Sequence, residues 1–359
     1  MTPLAARLLD EIRQEGPITI ARFMQACLFD PHHGYYATGP LIGGAGEGDF
    51  LTAPETSQMF GELLGLWCVH EWTTMGKPDP FVLIELGPGR GALIADAWRA
   101  AKVAPGFHDA AQLRLIDPSR PLRRLQAESL AKVGAEGVWL DSIEEAPQGP
   151  MLLLANEVLD CLPIRQFVTT PEGWRERLVG EASHGLGFGL SHPLPIAKPE
   201  TAPDGYWREV AEGAETFLRP LLARLIQSPG RALFLDYGYE DPNGADTLQA
   251  VRRHQKLHPL EAPGQSDLTA QVDFAAIAAR AADVGVQSYG PLRQGVFLKS
   301  LGIAERAAAL AQRNPDRQER LDRELNRLVA PDQMGDLFKA LCLSSPLLPP
   351  PAGFPACSL

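Results

Sequence analysis

Nowhere does this 359-residue chain hold a run of about eighteen apolar residues, so no stretch of it reads as a membrane-spanning helix. Cysteine is scarce. Cys27, Cys68, Cys161, Cys342 and Cys357 are odd in number, far apart and never in C-x-x-C spacing, which argues against a disulfide framework or structural zinc and for small core side chains. Basic charge is short as well: 33 Lys and Arg against 44 Asp and Glu give a formal net charge of −11. That leaves no broad cationic face for phosphates, so nucleic acid is not an expected partner and a basic protein segment is. H-E-x-x-H and G-x-S-x-G are both missing, which disfavours a zinc hydrolase and a serine hydrolase. His254 and His258 stand at the helical spacing for a shared metal but lack a third ligand nearby, so no metal is expected. The N-terminal residues have neither a signal-peptide core nor the acid-poor, Arg-rich character of a transit peptide, and a cytoplasmic place is expected.

What the chain does have is apolar content, 45%, enough for one large α/β domain with an insertion or for two smaller ones. Its organising stretch is Phe81 to Ala92. Phe81, Val82, Leu83 and Ile84 form the short apolar run of a strand covered on both faces, and Gly87, Gly89 and Gly91 then let the backbone turn sharply into a helix and approach a ligand. Gly87, Gly89 and Ala92 satisfy the loose dinucleotide fingerprint, which places a pyrophosphate at a helix N-terminus. Glu85, Gly87, Gly89 and Gly91 satisfy instead the E-x-G-x-G-x-G turn of S-adenosylmethionine (SAM) methyltransferases. Glu85 favours the second, because a carboxylate at the strand end suits a cationic amino-acid cofactor better than a pyrophosphate.

Along the chain, helices are expected over 2–15, from Thr19 to Phe29 and from Ser57 to Met75, with a long glycine-rich loop, 30–57, between the last two. Strands are expected at 112–116, 137–140, 150–155, 231–236 and 285–289, with a late antiparallel edge strand at 337–343. This alternation predicts a doubly wound α/β sheet. Residues 164–206 read as a hairpin-rich insertion leaving the main sheet, 302–329 as helical, and the Pro-rich tail 346–355 as loosely held. The expected organisation is therefore 1–78 N-terminal helices and flap loop, 79–163 first part of a Rossmann-like core, 164–228 insertion or lid, 229–345 the rest of the core and 346–359 the tail.

In open α/β sheets ligands sit beyond the carboxyl ends of the strands, so polar residues there carry most weight. Besides Glu85, these are Asp117, an acid placed to accept ribose hydroxyls; Asn156, Glu157 and Asp160, costly to bury without a partner; and Asp236 with Tyr237, placed to line a substrate channel.

Taken together, Gly34-Tyr-Tyr, the run from Gly48 to Glu62, Glu85-Leu-Gly-Pro-Gly-Arg-Gly, Asn156-Glu-Val-Leu-Asp-Cys-Leu-Pro, Asp236-Tyr-Gly and Ser266-Asp-Leu-Thr-Ala-Gln-Val-Asp-Phe resemble the SAM-dependent methyltransferase family of the mitochondrial complex I assembly factor and its bacterial homologues. The resemblance runs from about residue 20 to Met334-Gly-Asp-Leu-Phe-Lys. It implies a class I methyltransferase fold with an N-terminal helical region and an inserted substrate or lid subdomain, SAM as cofactor, and methylation of an arginine on a protein, a respiratory complex I subunit in the mitochondrial members. Carried over, Glu85, Gly87, Gly89 and Gly91 would hold the methionine part of SAM, Asp117 the ribose, and the 139–142 turn with Asp141 the adenine, with Pro88 and Asn156 also cofactor-binding. Asp49, Thr52, Pro54, Glu55 and Ser57 match the family's N-terminal motif, which looks like a flap over the cofactor. Ala92, Asp117, Val158 and Leu159 depart from it: the family commonly has a hydroxyl residue, Glu and two aromatics there.

An arginine is a poor nucleophile while its guanidinium stays protonated. Carboxylates gripping two of its N–H groups would localise the charge, aim a nitrogen at the methyl and take up the proton; Glu157 is the first candidate, with Asp160 and Glu55. A small-molecule methyltransferase, an NAD(P)-dependent oxidoreductase and a non-catalytic SAM-binding assembly factor are the rival readings.

Overall fold

The structure, a computed structural model, describes residues 1–38, 52–196 and 202–355. The expected flap residues 39–51, Asp49 among them, lie outside the described residues. The chain forms two compact units: one holds Met1–Phe50, Leu159–Leu218 and Tyr239–Asp273, the other Leu51–Val158, Arg219–Gly238 and Phe274–Leu359. Each unit is assembled from stretches far apart in sequence.

The unit carrying the glycine turn is built on seven strands: β1 Phe81–Leu86, β2 Ala111–Ile116, β3 Val138–Leu140, β4 Met151–Asn156, β5 Gly230–Tyr239, β6 Gln287–Arg293 and β7 Phe338–Ser344. They lie in the order β3-β2-β1-β4-β5-β7-β6. β3, β2, β1, β4 and β5 are mutually parallel, with Leu83 opposite Leu113 on one side and Leu152 on the other. All six residues of β1 are buried, which is why it opens on four successive apolar residues, Phe81 to Ile84, rather than an alternation. β7 runs antiparallel to both neighbours, Phe234 facing Leu341 and Ser288 facing Leu343. It is an inner strand, not the edge strand expected; β6 closes the sheet on that side. The order reverses between β1 and β4, and the crevice at their carboxyl ends is where such sheets take ligands.

The helices near that crevice are α1 Ala53–Thr56, α2 Gln58–Thr74, α3 Ala92–Ala101 and α4 Arg120–Lys132. α2 opens on Ser57, whose hydroxyl accepts the Met59 N–H at 3.3 Å. It is buried almost all round, and two of its glycines form a seam with α3: a Cβ on Gly65 would stand 2.3 Å from the Ala97 carbonyl oxygen, one on Gly61 2.6 Å from Asp96 Cβ. Farther along α2, Glu71 meets Arg231 of β5 in an ion pair of 2.8 Å with neither side chain exposed. Glu71 also accepts the Ala352 N–H (2.8 Å), Arg231 donates to the Pro349 carbonyl (2.6 Å) and the Trp67 indole N–H to the Ala352 carbonyl (3.1 Å). The Pro-rich tail is therefore held rather than loose through 355, and Phe354 is buried against Phe297. The polar stretch 302–329, expected to be helical, holds two helices, Ile303–Arg313 and Gln318–Val329, parted by a short turn that opens on Pro315.

The other unit packs helices Pro3–Glu15 and Ile20–Phe29 with antiparallel strands Arg165–Thr170, Gly173–Ala182, Gly185–Leu190 and Trp207–Val210 around a core that includes Leu8, Phe23, Met24, Val179 and Leu268. The helices start as their sequences require, Thr2 accepting the Ala5 N–H and Thr19 the Arg22 N–H. Arg177 lies 3.9 Å from the Trp207 ring centroid and donates to Asp246 at 2.6 Å. His254 sits in the hairpin between Gln249–Arg252 and Gln255–Leu257, so the helical spacing with His258 is not realised. Among the described residues no group of three or more His, Cys, Asp or Glu is placed to hold a metal, and no helix is long and apolar enough to cross a membrane.

Candidate functional site

At the end of β1 the backbone makes the turn its glycines allow. Gly87, Gly89 and Gly91 have φ of 62°, 54° and 81°, the left-handed region where a Cβ is strained. A Cβ on Gly87 would also stand 2.6 Å from Val158 Cγ2. Pro88 is buried at the crest, its carbonyl accepting the Gly91 N–H at 2.7 Å, and Gly91 starts α3.

Glu85 is 2% exposed. Burial pushes its carboxyl up to about 8, opposed by the Ile94 N–H and reinforced by Asp117. Its Oε2 is buried with no hydrogen-bond partner, and so is Oδ1 of Asn156 at the end of the adjacent β4. Two unsatisfied acceptors on neighbouring strand ends are costly unless a donor fills them, and an ammonium group would.

Asp117, 4% exposed after β2, accepts the Ser119 N–H on Oδ1 (2.8 Å) and the Gln126 amide on Oδ2 (2.7 Å). Burial raises its pKa, and these two bonds and the Arg123 charge oppose the rise. Each oxygen keeps a lone pair for a further donor. Arg123 ties two strand ends together, giving Nε to the Asp117 carbonyl (2.7 Å) and Nη2 to the Leu140 carbonyl (3.2 Å) and to the side chain of Asp141, which is exposed.

After β4, Glu157 adopts φ 53°, uncommon for a residue with a side chain. Its N–H donates to the Leu235 carbonyl (2.9 Å), while its Oε1 accepts Asn156 Nδ2 (2.9 Å) and the Ala53 N–H (3.3 Å). Asp236 is fully buried and accepts the N–H groups of Val158 (3.1 Å) and Tyr237 (2.9 Å). It braces the Glu157 turn from inside the core, and the partly buried Tyr237 ring lies 5.6 Å from Phe338. Glu55, in α1, keeps Oε2 buried and unpartnered; burial raises its pKa and Arg90 opposes the rise. Thr52 precedes α1 without a side-chain cap bond, Pro54 lies in its first turn and Ser57 is the buried cap of α2. Asp160 belongs to the other unit, 6% exposed, with its carbonyl accepting the Ala270 N–H at 2.9 Å.

Residues 63–292 match the sequence profile of a family described as "Putative S-adenosyl-L-methionine-dependent methyltransferase". The Mus musculus "Protein arginine methyltransferase NDUFAF7, mitochondrial" is 37% identical over 96% of this chain and 84% of its own length, and the Homo sapiens protein of that name is 34% identical over 96% and 83%. A Burkholderia thailandensis protein described as a "likely methyl transferase", bound to S-adenosyl-homocysteine, superposes with a TM-score of 0.87 at 28% identity, covering 99% of this chain and 96% of that one. The chain belongs to this methyltransferase family.

SAM is therefore the cofactor of this methyltransferase, the dinucleotide reading of the glycine turn falls away, and the strand order is that of a class I methyltransferase fold. The residues present fit the group: left-handed glycines for close backbone approach, two unpartnered acceptors for a cationic amino acid, and an acid with open lone pairs for ribose hydroxyls. A cytoplasmic place was expected and is withdrawn, because the curated relatives carry "mitochondrial" in their names. Sequence reasoning missed Gln126 and Arg123. The signal was there for Gln126, a polar residue four from Leu122 and four from Leu130 on the buried face of α4.

Proposed function

We propose that this methyltransferase transfers the methyl group of SAM to an arginine side chain of a protein, with a respiratory complex I subunit as the acceptor that the family resemblance implies. The observation that carries the reading is Glu157 after β4, bonded to the backbone of α1, the helix that also carries Glu55. Glu157 is presented on a left-handed backbone with one oxygen pinned by two N–H groups, and Glu55 holds a buried oxygen with no partner. A guanidinium is the ligand such acids suit: planar, cationic and able to donate to two carboxylates at once. The relatives' shared name, protein arginine methyltransferase, supports the same acceptor.

Bound SAM would supply an electrophilic methyl group on a sulfonium. Glu85 and Asn156 would hold the amino-acid end of the cofactor, Asp117 the ribose and the 139–142 turn, with Asp141, the adenine. Glu157 would orient the acceptor nitrogen and take up its proton, and Glu55 would grip a second N–H. Positioning and charge placement are what this reaction asks of a protein. The test is to incubate the purified chain with labelled SAM and an extract of cells lacking it. Label recovered as methylated arginine after hydrolysis of the protein fraction bears the proposal out; label confined to small molecules overturns it in favour of a small-molecule methyltransferase.

A further inference from the structure

α4 turns a row of polar side chains, Arg123, Gln126 and Ser129, onto the loops that the site is made of. Ser129 Oγ donates to the Arg90 carbonyl at 2.9 Å, and Arg123 joins the ends of β2 and β3. Gln126, in the middle and 0% exposed, bonds through both ends of its amide: Nε2 donates to the Gly89 carbonyl (2.9 Å) and to Asp117 Oδ2 (2.7 Å), and Oε1 accepts the Trp139 indole N–H (2.6 Å). Gly91 lets the helix come this close, since its Cβ would stand 3.1 Å from Gln126 Cα.

The indole fixes which end of the amide faces Asp117, because a reversed amide would set oxygen against two acceptors and N–H against N–H. One residue thereby connects the glycine turn, the acid after β2 and the strand leading to the 139–142 turn.

From this we infer that Gln126 is a positioning residue for ribose recognition: by occupying one lone pair of Asp117 Oδ2 it turns the carboxylate so that the remaining lone pairs accept a vicinal diol. The inference rests on the assignment of Asp117 to the ribose. Ser119 commits Oδ1 in the same way, so the acid is left with acceptor capacity and no donor, a site for two hydroxyls that repels a phosphorylated ribose.

The test is calorimetric titration of the folded full chain with S-adenosylhomocysteine and with its 2′-deoxy analogue, across pH, for wild type, Gln126→Glu and Gln126→Met. Asp117 is bonded to the substituted position, and Glu85 and Arg123 are the charged groups coupled to Asp117. In Gln126→Glu a second carboxylate faces Asp117 at high pH and a carboxylic acid, again a donor, at low pH. Affinity relative to wild type is expected to fall about tenfold or more near neutral pH and to recover in acid, whereas for Gln126→Met, which has length but no donor, the deficit stays constant with pH. The Met variant should also lose most of the wild-type preference for S-adenosylhomocysteine over the 2′-deoxy analogue. This ligand ratio carries the test if the Glu variant does not fold. Wild-type affinities in both variants, or an unchanged ligand preference in Gln126→Met, would overturn the inference. A wild-type chain that ignores the 2′-hydroxyl but binds S-adenosylhomocysteine would overturn the ribose assignment of Asp117 and the inference with it.

Discussion

Glu85→Gln is expected to flatten the pH dependence of stability in the ligand-free protein. Glu85 is 2% exposed, one oxygen has no partner, and its pKa is raised from 4.5 to about 8 chiefly by desolvation. A carboxyl whose folded-state pKa lies above its unfolded value binds more protons folded than unfolded throughout that window. Its contribution to stability is therefore fully present below pH 4.5 and is lost as pH rises through about 8. The slope is ~1.4 kcal/mol per pH unit, so the folded protein gives up on the order of 3 kcal/mol through this group between about pH 5.5 and about pH 8. Gln keeps the shape without the titration. Urea unfolding at those two pH values should show a wild-type loss larger than the variant's by that amount, and the variant should be the more stable protein at the higher pH. The same substitution should weaken S-adenosylhomocysteine binding, because a carboxylate facing an ammonium is replaced by a neutral amide. Equal pH slopes in the two proteins would refute the reasoning, and so would unchanged affinity refute the cofactor contact.

Gly87→Ala, at φ 62° and with Val158 Cγ2 2.6 Å from the new Cβ, should cost about 1–3 kcal/mol of stability and lower cofactor affinity more than it lowers stability at 25 °C, as calorimetry and urea unfolding would show. Arg231→Leu leaves Glu71 buried without its cation and should destabilise by about 3–5 kcal/mol in urea, while the Glu71→Leu/Arg231→Leu pair should recover part of the loss. Ending the chain before residue 346 removes Phe354 from its seat on Phe297 and the acceptor of the Trp67 indole, and should lower stability by about 2–5 kcal/mol; a loosely held tail would cost nothing.

What could be read in the sequence was local. The apolar run Phe81 to Ile84, the spacing of Gly87, Gly89 and Gly91 and the acids at the ends of β1, β2 and β4 each reflect a constraint on a few consecutive residues, and the structure places them at the carboxyl ends of adjacent strands. What could not be read depends on what meets a residue from elsewhere in the chain. Gly61 and Gly65 look like weak points in a helix until α3 lies against them. Asp236 reads as an acid at a strand end, and only the backbone of Val158 and Tyr237 folded onto it makes it a brace. The prolines of the tail suggested looseness because the carbonyls they carry, at Pro349 and beside Ala352, reveal their partners only in three dimensions. The order of β5, β7 and β6 is of the same kind, since a late strand inserted between two earlier ones leaves no mark on its own sequence.

The acid that handles the acceptor is the centre of the account, and Glu157→Gln tests it most directly. S-adenosylhomocysteine affinity and the transfer of labelled methyl groups to arginine in the protein fraction would be measured side by side on wild type and variant. The account predicts affinity within about threefold of wild type and transfer reduced by about 100-fold or more, since the amide neither carries the charge that grips a guanidinium nor accepts its proton. Full methyl transfer by Glu157→Gln, with cofactor binding intact, would contradict it.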